Sequence, residues 1–139
     1  MILSAQKVAS GTYAELWWDG DLIAECHAFE SKYSKTKEDV AMCGQFISDS
    51  KMTGAKGTGS LSLYKVYRRW KEYADGVLAG KDIRPTLIGK VADPDSPDSA
   101  TRVALYNVSF DEVPLVSFEA GKIIDEQVPF TFTAHKFLD

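Results

Sequence analysis

Alternation of polar and apolar side chains with a period of two is the feature that most limits the folds open to this chain. It is clearest near the C-terminus, where Val128, Phe130 and Phe132 alternate with polar residues and Pro129. Such alternation is typical of strands with one buried face, and proline in a strand favours an edge or a bulge. The sequence predicts about eight strands, at residues 12–18, 22–28, 37–43, 60–66, 84–92, 102–110, 114–120 and 125–137.

Two further local signals complete this prediction. The Asp19-Gly20 pair between the first two strands favours a tight hairpin. One segment instead has helical periodicity, with an apolar stripe of Val66, Trp70, Tyr73, Ala74, Val77 and Leu78. This stripe predicts an amphipathic helix that packs Trp70, Tyr73 and Val77 into the core and ends near Gly80. The sequence therefore predicts an α+β fold that is mainly β.

Residues 44–58 show neither periodicity and are rich in lysine and glycine, so we interpret them as a long loop. Connections of this length are uncommon in compact domains unless they have a function. No repeat, linker or low-complexity segment divides the remaining sequence. We therefore expect one domain over residues 1–139 that carries one long Lys/Gly-rich loop.

Charge and composition argue against several classes of protein. The formal net charge of −4 disfavours a surface that mainly neutralises nucleic-acid phosphates. The N-terminal residues do not have the pattern of a secretory signal, and no apolar run approaches the roughly 18 residues of a membrane span. We expect a chain made in the cytoplasm without a membrane anchor, in which Cys26 and Cys43 remain reduced.

The residues that could support ligand binding or catalysis do not match a motif. Residues 54–60 partly resemble a phosphate-binding glycine loop, but they lead into a strand instead of opening a helix. Asp93, Asp95 and Asp98 have no glycine and glutamate at the spacing of a calcium loop. Adjacent Cys26 and His27 would point to opposite faces of a strand. We expect no enzyme activity, metal or cofactor, and a small anion-binding module stays open as an alternative.

Three segments follow one another in a characteristic order: MTGAKGTG at residues 52–59 with the strand after it, residues 102–111, and EQVPFTF at residues 126–132. They resemble the tail tube proteins of contractile-tailed phages and phage-tail-like particles of the PBSX type. Together with the first hairpin, the resemblance extends over nearly the whole chain. It implies an antiparallel β-sandwich or barrel-like fold with one flanking helix. Six subunits would form a ring, and their inner strands would join into a continuous barrel.

The resemblance also implies partners and a location. The partners would be further copies of the chain in stacked rings, the tail sheath protein, and the baseplate and terminator proteins. DNA, where the lumen carries it, would pass without specific binding. Assembly would take place in the cytoplasm of a bacterial host, and the product would be the tail of a phage or of a tail-like bacteriocin. A tail adaptor that does not polymerise is the alternative.

Two groups of residues are candidates for contacts within such a tube. The long loop would become ordered against a neighbouring subunit or ring. Its contact residues would be Lys51, Met52, Thr53, Gly54, Lys56, Gly57, Thr58 and Gly59. The channel would be lined by strand residues with a polar face and little bulk, namely Glu30, Glu38, Ser60 and Ser62.

Overall fold

A computed structural model describes residues 3–138, which form two antiparallel sheets, one α-helix and three short 3-10 helices. In chain order the strands are β1 (Ala14–Trp18), β2 (Asp21–Leu22), β3 (Cys26–Val40), β4 (Asp49–Tyr64), β5 (Leu87–Val91), β6 (Thr101–Tyr106), β7 (Ser109–Phe110), β8 (Asp125–Phe132) and β9 (Ala134–Phe137). The helix α1 (Lys71–Leu78) lies between β4 and β5, and the 3-10 helices are Ala5–Lys7, Gly11–Tyr13 and Pro97–Ser99.

The strand order is β2-β1-β5-β6-β9 in the first sheet and β3-β4-β8-β7 in the second. All neighbouring strands are antiparallel. The prediction of a mainly β, antiparallel, sandwich-like fold with one helix is therefore confirmed. Neither sheet closes into a barrel within a single chain.

The first hairpin turns at Asp19 and Gly20, as predicted. Both residues have positive φ, at 50° and 89°, which is the geometry of a type I′ turn. The prediction that the second arm covers residues 22–28 is wrong. That arm ends at Leu22, and the chain then crosses to the second sheet. Ile23 at the crossing is 3% exposed and belongs to the core that both sheets share.

Residues 44–58 are not a loop, and this prediction is also wrong. They lie mostly in β4, which pairs with β3 from Cys26 opposite Leu63 to Val40 opposite Asp49. The connection covers only residues 41–48, so the predicted strand at 37–43 ends early. The pattern failed because residues 31–56 are exposed, and a strand without a buried face has no apolar alternation.

Two predicted strands of the C-terminal half are each divided between the sheets. Residues 102–110 become β6 and β7, which are separated at Asn107, where φ is 57°. Residues 125–137 become β8 and β9, which are separated at Thr133. The side-chain pattern does not mark these changes, since inward-facing residues of both sheets enter the same core.

Three smaller predictions for this half need correction. The strand at 84–92 is limited to Leu87–Val91, and residues 114–120 form no strand. Pro129 lies in an inner strand instead of an edge or bulge. In an antiparallel strand, the carbonyl and the N–H of one residue point to the same side. The Pro129 carbonyl points toward Asp111, beyond the end of β7, so the N–H that proline lacks would also have faced a position outside the ladder.

The sheets enclose one hydrophobic core. It is formed by Leu16, Trp18, Ile23, Leu61, Leu63, Trp70, Leu87, Leu105, Val108, Val128, Phe130 and Phe132. The predicted alternation in residues 60–66 is confirmed for residues 60–63. Leu61 and Leu63 are at most 1% exposed, and Ser60 and Ser62 lie on the opposite face.

Two glycines of β4 are required because phenylalanine rings of β8 lie across them. Gly59 is opposite Phe130, and Gly57 is opposite Phe132. A Cβ on Gly59 would lie 2.6 Å from the Phe130 ring, and one on Gly57 would lie 2.8 Å from the Phe132 ring. Both distances are much shorter than the optimal separation of two non-bonded carbon atoms, which is about 3.5–4.0 Å. These glycines therefore leave room for the two rings at the centre of the sheet and are not part of a flexible loop.

The helix begins later than predicted and buries fewer residues. Trp70 is 2% exposed and Tyr73 is half-buried against the core, so both assignments to the core are confirmed. Val77 is 64% exposed, so its assignment is wrong. The helix has only about two turns. Its last turn packs against Ile83 at Gly76 instead of against the sheets. Gly80 follows its end, with φ of 73° and a Schellman-type cap.

An aromatic cluster attaches this helix to the sheets. The Trp70 ring centroid lies 5.2 Å from that of Trp18 and 4.9 Å from that of Phe110. The Trp18 indole N–H donates a hydrogen bond to the Tyr73 hydroxyl at 3.0 Å. Trp70 is thus the residue that joins the helix to both sheets, since Trp18 and Phe110 belong to different sheets.

We expect Trp70→Ala to lower the free energy of unfolding by about 3–5 kcal/mol, because it removes a large buried aromatic and leaves a cavity. The matched control is Val77→Ala in the same helix, which should change stability by less than about 0.5 kcal/mol because Val77 is exposed. Denaturant titration of both variants checks this. An equal effect of the two substitutions would contradict the placement of the helix.

Candidate functional site

The β3–β4 hairpin extends beyond the sandwich as a two-stranded arm, which we define as residues 34–56. β8 pairs with β4 only from Gly57 onward, so the arm has no third strand. All of its residues are exposed. From Ser34 to Val40 it extends about 23 Å at the usual rise per residue. The arm is the largest part of the described chain without a core of its own.

Several large apolar side chains of the arm are exposed to solvent. Phe46 and Ile47, in the connection between the strands, are 104% and 82% exposed, and Met52 is 54% exposed. An isolated two-stranded hairpin is at best marginally stable in water. Exposed apolar residues on a protruding element are typical of a protein–protein contact.

The second sheet has a polar face opposite the core, arranged in three cross-strand rows. The rows are Ala28-Ser62-Gln127, Glu30-Ser60-Pro129 and Lys32-Thr58-Thr131-Ser109. Most of these side chains are small, and most are exposed or half-buried. Glu30 and Lys32 form an ion pair with an N–O distance of 3.2 Å. The polar face is therefore smooth, rich in hydroxyl groups and balanced in charge.

The two edges of this sheet are open. Among residues 3–138, no strand pairs with the outer side of β3 along Cys26–Val40. The opposite edge is β7, which has two residues and leaves most of β8 without a partner on that side. Open edges expose backbone donors and acceptors that can pair with another chain.

Two histidines make contacts that join segments of the chain. His27 Nε2 lies 2.7 Å from Asp125 Oδ1, and the His27 ring stacks on Tyr64 with centroids 4.2 Å apart. His135 Nδ1 lies 2.6 Å from the Tyr33 hydroxyl. Both histidines are therefore packing residues that join segments distant in sequence.

A buried ion pair fixes the crossing from β2 to β3. Glu25 is 9% exposed, and its carboxylate accepts two hydrogen bonds from the Arg69 guanidinium, the one from Nη2 at 3.0 Å. Burial by itself raises the pKa of Glu25. Hydrogen bonds from Arg69 and from the backbone, together with the Arg69 charge, outweigh it and lower the pKa below 4.5.

Residues 3–138 contain no helix long and apolar enough to cross a membrane. They also contain no group of three His, Cys, Asp or Glu side chains arranged to hold a metal ion.

The sequence as a whole matches a known family. The sequence model of a family described as phage tail tube protein covers residues 1–139. The chain belongs to this family. A relative in Bacillus subtilis (strain 168), the phage-like element PBSX protein XkdM, is 36% identical over 134 residues, which are 95% of this chain and 91% of the relative. The chain is thus a structural component of a tail tube.

Solved structures of tail-like particles have the same fold. A chain in the anti-feeding prophage cap matches with a TM-score of 0.73 at 8% identity, covering 99% of this chain and 95% of that chain. A chain in the PVC contractile injection system, in the sheath–tube complex in the extended state, matches with a TM-score of 0.69 at 8% identity, covering 96% and 93%. Across such different sequences, the tail tube fold is retained.

The structure separates the predicted loop contacts into three groups. Lys51, Met52, Thr53, Gly54 and Lys56 lie on the arm, Thr58 lies on the polar face, and Gly57 and Gly59 lie beneath phenylalanine rings. A contact role for these two glycines in a flexible loop is therefore not compatible with their position.

The structure brings three of the four predicted channel residues together on one face of the second sheet. Glu30 and Ser60 share the polar face, and Glu38 lies on the same side of β3 farther along the arm. Ser62 is on the same face but is only 8% exposed, so it contributes little to the surface predicted to line a channel. Sequence reasoning missed Gln127, Thr131 and Ser109, which lie on the same face. The alternation of Thr131 with Phe130 and Phe132 in the sequence could have identified Thr131 as a residue of the polar face.

We expect Arg69→Met to lower the free energy of unfolding by about 1–3 kcal/mol near neutral pH, because Glu25 keeps a buried charge without its partner. The folded-state pKa of Glu25 is depressed in the native protein, so its stabilising contribution is present above pH 4.5 and is lost as pH falls through the folded pKa. The difference between native protein and variant should therefore shrink in acid.

Urea titrations at several pH values check this. The matched control is Lys122→Met, which breaks an exposed pair with Glu119 and should change stability by less than about 1 kcal/mol. A stability difference for Arg69→Met that does not depend on pH would contradict the role given to Glu25.

Proposed function

We propose that this tail tube protein forms six-fold, head-to-tail rings that stack into the tube of a contractile tail. The observation that carries the proposal is the second sheet, which has two open edges, one buried face and one smooth polar face. Pairing the β3 edge of one copy with the β7 and β8 edge of the next satisfies both edges. A heterologous contact of this kind closes into a ring when the rotation is right.

The dimensions of such a ring are reasonable for a channel. Six copies of a four-stranded sheet, at about 4.8 Å between strands and a tilt of about 40°, close into a barrel roughly 50 Å across its backbone. A closed barrel has no edges. The small side chains of the polar face would then line a wide lumen.

The polar face also suits the passage of a polyanion. Tight binding of nucleic acid requires many lysine or arginine contacts with phosphates. The charges of Glu30 and Lys32 instead neutralise each other at 3.2 Å. The net charge of −4 is thus not concentrated on this face. DNA or another cargo would slide past hydroxyl groups without being held.

The arm would connect one ring to the adjacent ring in the stack. It is exposed on both faces, and its tip carries the exposed Phe46 and Ile47. Contact with the adjacent ring would cover these residues and order the hairpin, so that part of its entropy cost falls at assembly. In this arrangement the protein is non-enzymatic, assembles in the host cytoplasm, and meets sheath, baseplate and terminator proteins on its remaining surfaces.

A non-polymerising tail adaptor is the second candidate function. It is favoured by one observation, the fold likeness to a chain in a tube-terminating cap. Electron microscopy of the purified native chain separates the two, because a tube subunit forms long hollow tubes with six-fold rings. Particles that stop at a single ring under all assembly conditions would favour the adaptor.

Shortening the arm should separate ring formation from stacking. Ser34 lies opposite Lys56, so an Asn-Gly turn can replace residues 35–55 without changing the register of the remaining hairpin. Because the deleted residues are exposed, we expect a melting temperature within a few degrees of the native value, single rings in electron micrographs, and at least a tenfold loss of tubes. Normal tubes from the shortened chain would rule out the arm as the inter-ring contact.

A label on the polar face should be found inside the tube. We would attach a small maleimide-linked heavy-atom label to Ser60→Cys in a background with Cys26→Ala and Cys43→Ala, and locate it in a cryo-EM map. The matched control is Leu78→Cys on α1, which is 91% exposed and outside the sheet. We expect density in the channel for the first variant and outside it for the second. Density for Ser60→Cys on the outer wall would overturn the lumen assignment.

A further inference from the structure

One segment of the chain has a strand-like sequence but no strand partner. Residues 113–118, Val-Pro-Leu-Val-Ser-Phe, lie between β7 and β8, and they form no ladder with any strand in residues 3–138. Leu115, Val116 and Phe118 are 74%, 81% and 82% exposed. Val113 packs against the core of its own subunit, and residues 115–118 are exposed. We call residues 115–118 the apolar strap. So many large apolar side chains in one short segment are unusual for a free surface.

A groove of about 870 Å³ lies between the first sheet and β3. In the second sheet it is lined by residues 26–31 of β3, the open edge strand. Its apolar lining residues with accessible surface are Leu22, Phe29, Val91 and Val103, whereas Leu16, Ile23 and Leu105 lie beneath it in the core. Glu15, Glu30 and Lys90 add charged groups.

The strap and the groove match in three respects. Both have accessible apolar residues, and the four exposed strap residues cover about 13 Å of extended chain, which fits within the roughly 20 Å of residues 26–31. They also lie at opposite edges of the second sheet, since the strap follows β7 and the groove borders β3. A head-to-tail contact brings these two edges together.

We propose that the apolar strap of one copy occupies the groove beside β3 of the next copy. The occupant is thus a second copy of this chain, and the contact would cover Leu115, Val116 and Phe118. The proposal rests on the head-to-tail ring described under Proposed function and adds to it the side-chain contact that gives the edge pairing its direction. Main-chain pairing alone does not distinguish one partner edge from another, whereas a strap and a groove do.

The first test disrupts the strap. Leu115→Ser with Phe118→Ser changes only exposed side chains, so the free subunit should melt within a few degrees of the native protein. We expect ring and tube yield, measured by sedimentation and electron microscopy, to fall at least tenfold. The matched control is Leu78→Ser, which is 91% exposed on α1 and should assemble normally.

The second test reports where the strap lies. Ser31→Cys and Val116→Cys are placed in one chain with Cys26→Ala and Cys43→Ala, and assembled tubes are treated with a flexible bifunctional maleimide. We expect a ladder of cross-linked species that ends at six copies in denaturing gels, and none from unassembled subunits. Either single-cysteine variant should give no ladder.

The outcomes separate this inference from the proposed function. Normal tubes from the strap variant, or tubes of the double-cysteine chain without a ladder, would overturn the strap contact and leave the ring intact. A native chain that forms neither rings nor tubes would instead overturn the proposed function. A ladder that continues beyond six copies would place the strap between rings and would also overturn the contact proposed here.

Discussion

Much of the structure depends on the contact of two phenylalanine rings in β8 with two glycines in β4. Phe130 lies across Gly59 and Phe132 across Gly57, with no room for a Cβ on either glycine. This contact holds β4 and β8 in one register. Because side chains alternate along a strand, a slip of one residue would exchange the two faces of the sheet and bring serines into the core.

Once the register is set, the second sheet has two different faces. Leu61, Leu63 and Val128 pack against the first sheet, and Ser60 and Ser62 lie on the polar face. The same antiparallel pairing carries β3 and β4 beyond the sandwich as the arm. One contact in the core thus positions the surface that we propose lines the channel and the arm that we propose joins the rings.

The single chain is stable where it has a core and incomplete where it has none. The aromatic cluster around Trp70 and the ion pair of Glu25 with Arg69 close the sandwich on one side. The β3 edge, the arm and the apolar strap remain without partners among the described residues. Unpaired edges and exposed apolar side chains have a cost in a monomer that assembly removes, which is consistent with a protein that works as a polymer.

The sequence by itself determined the parts of the fold with a local or one-sided signal. The turn at Asp19 and Gly20, the buried Leu61, Leu63, Phe130 and Phe132, and the burial of Trp70 all followed from turn chemistry and side-chain periodicity. Only the tertiary structure decided what depends on distant pairing. The arm has no buried face to produce alternation, the breaks at Asn107 and Thr133 change sheets without changing the pattern, and Val77 is exposed because its turn of helix lies beyond the sheets. Periodicity reports which side of a segment is buried, whereas the partner strand is chosen by residues far away in the chain.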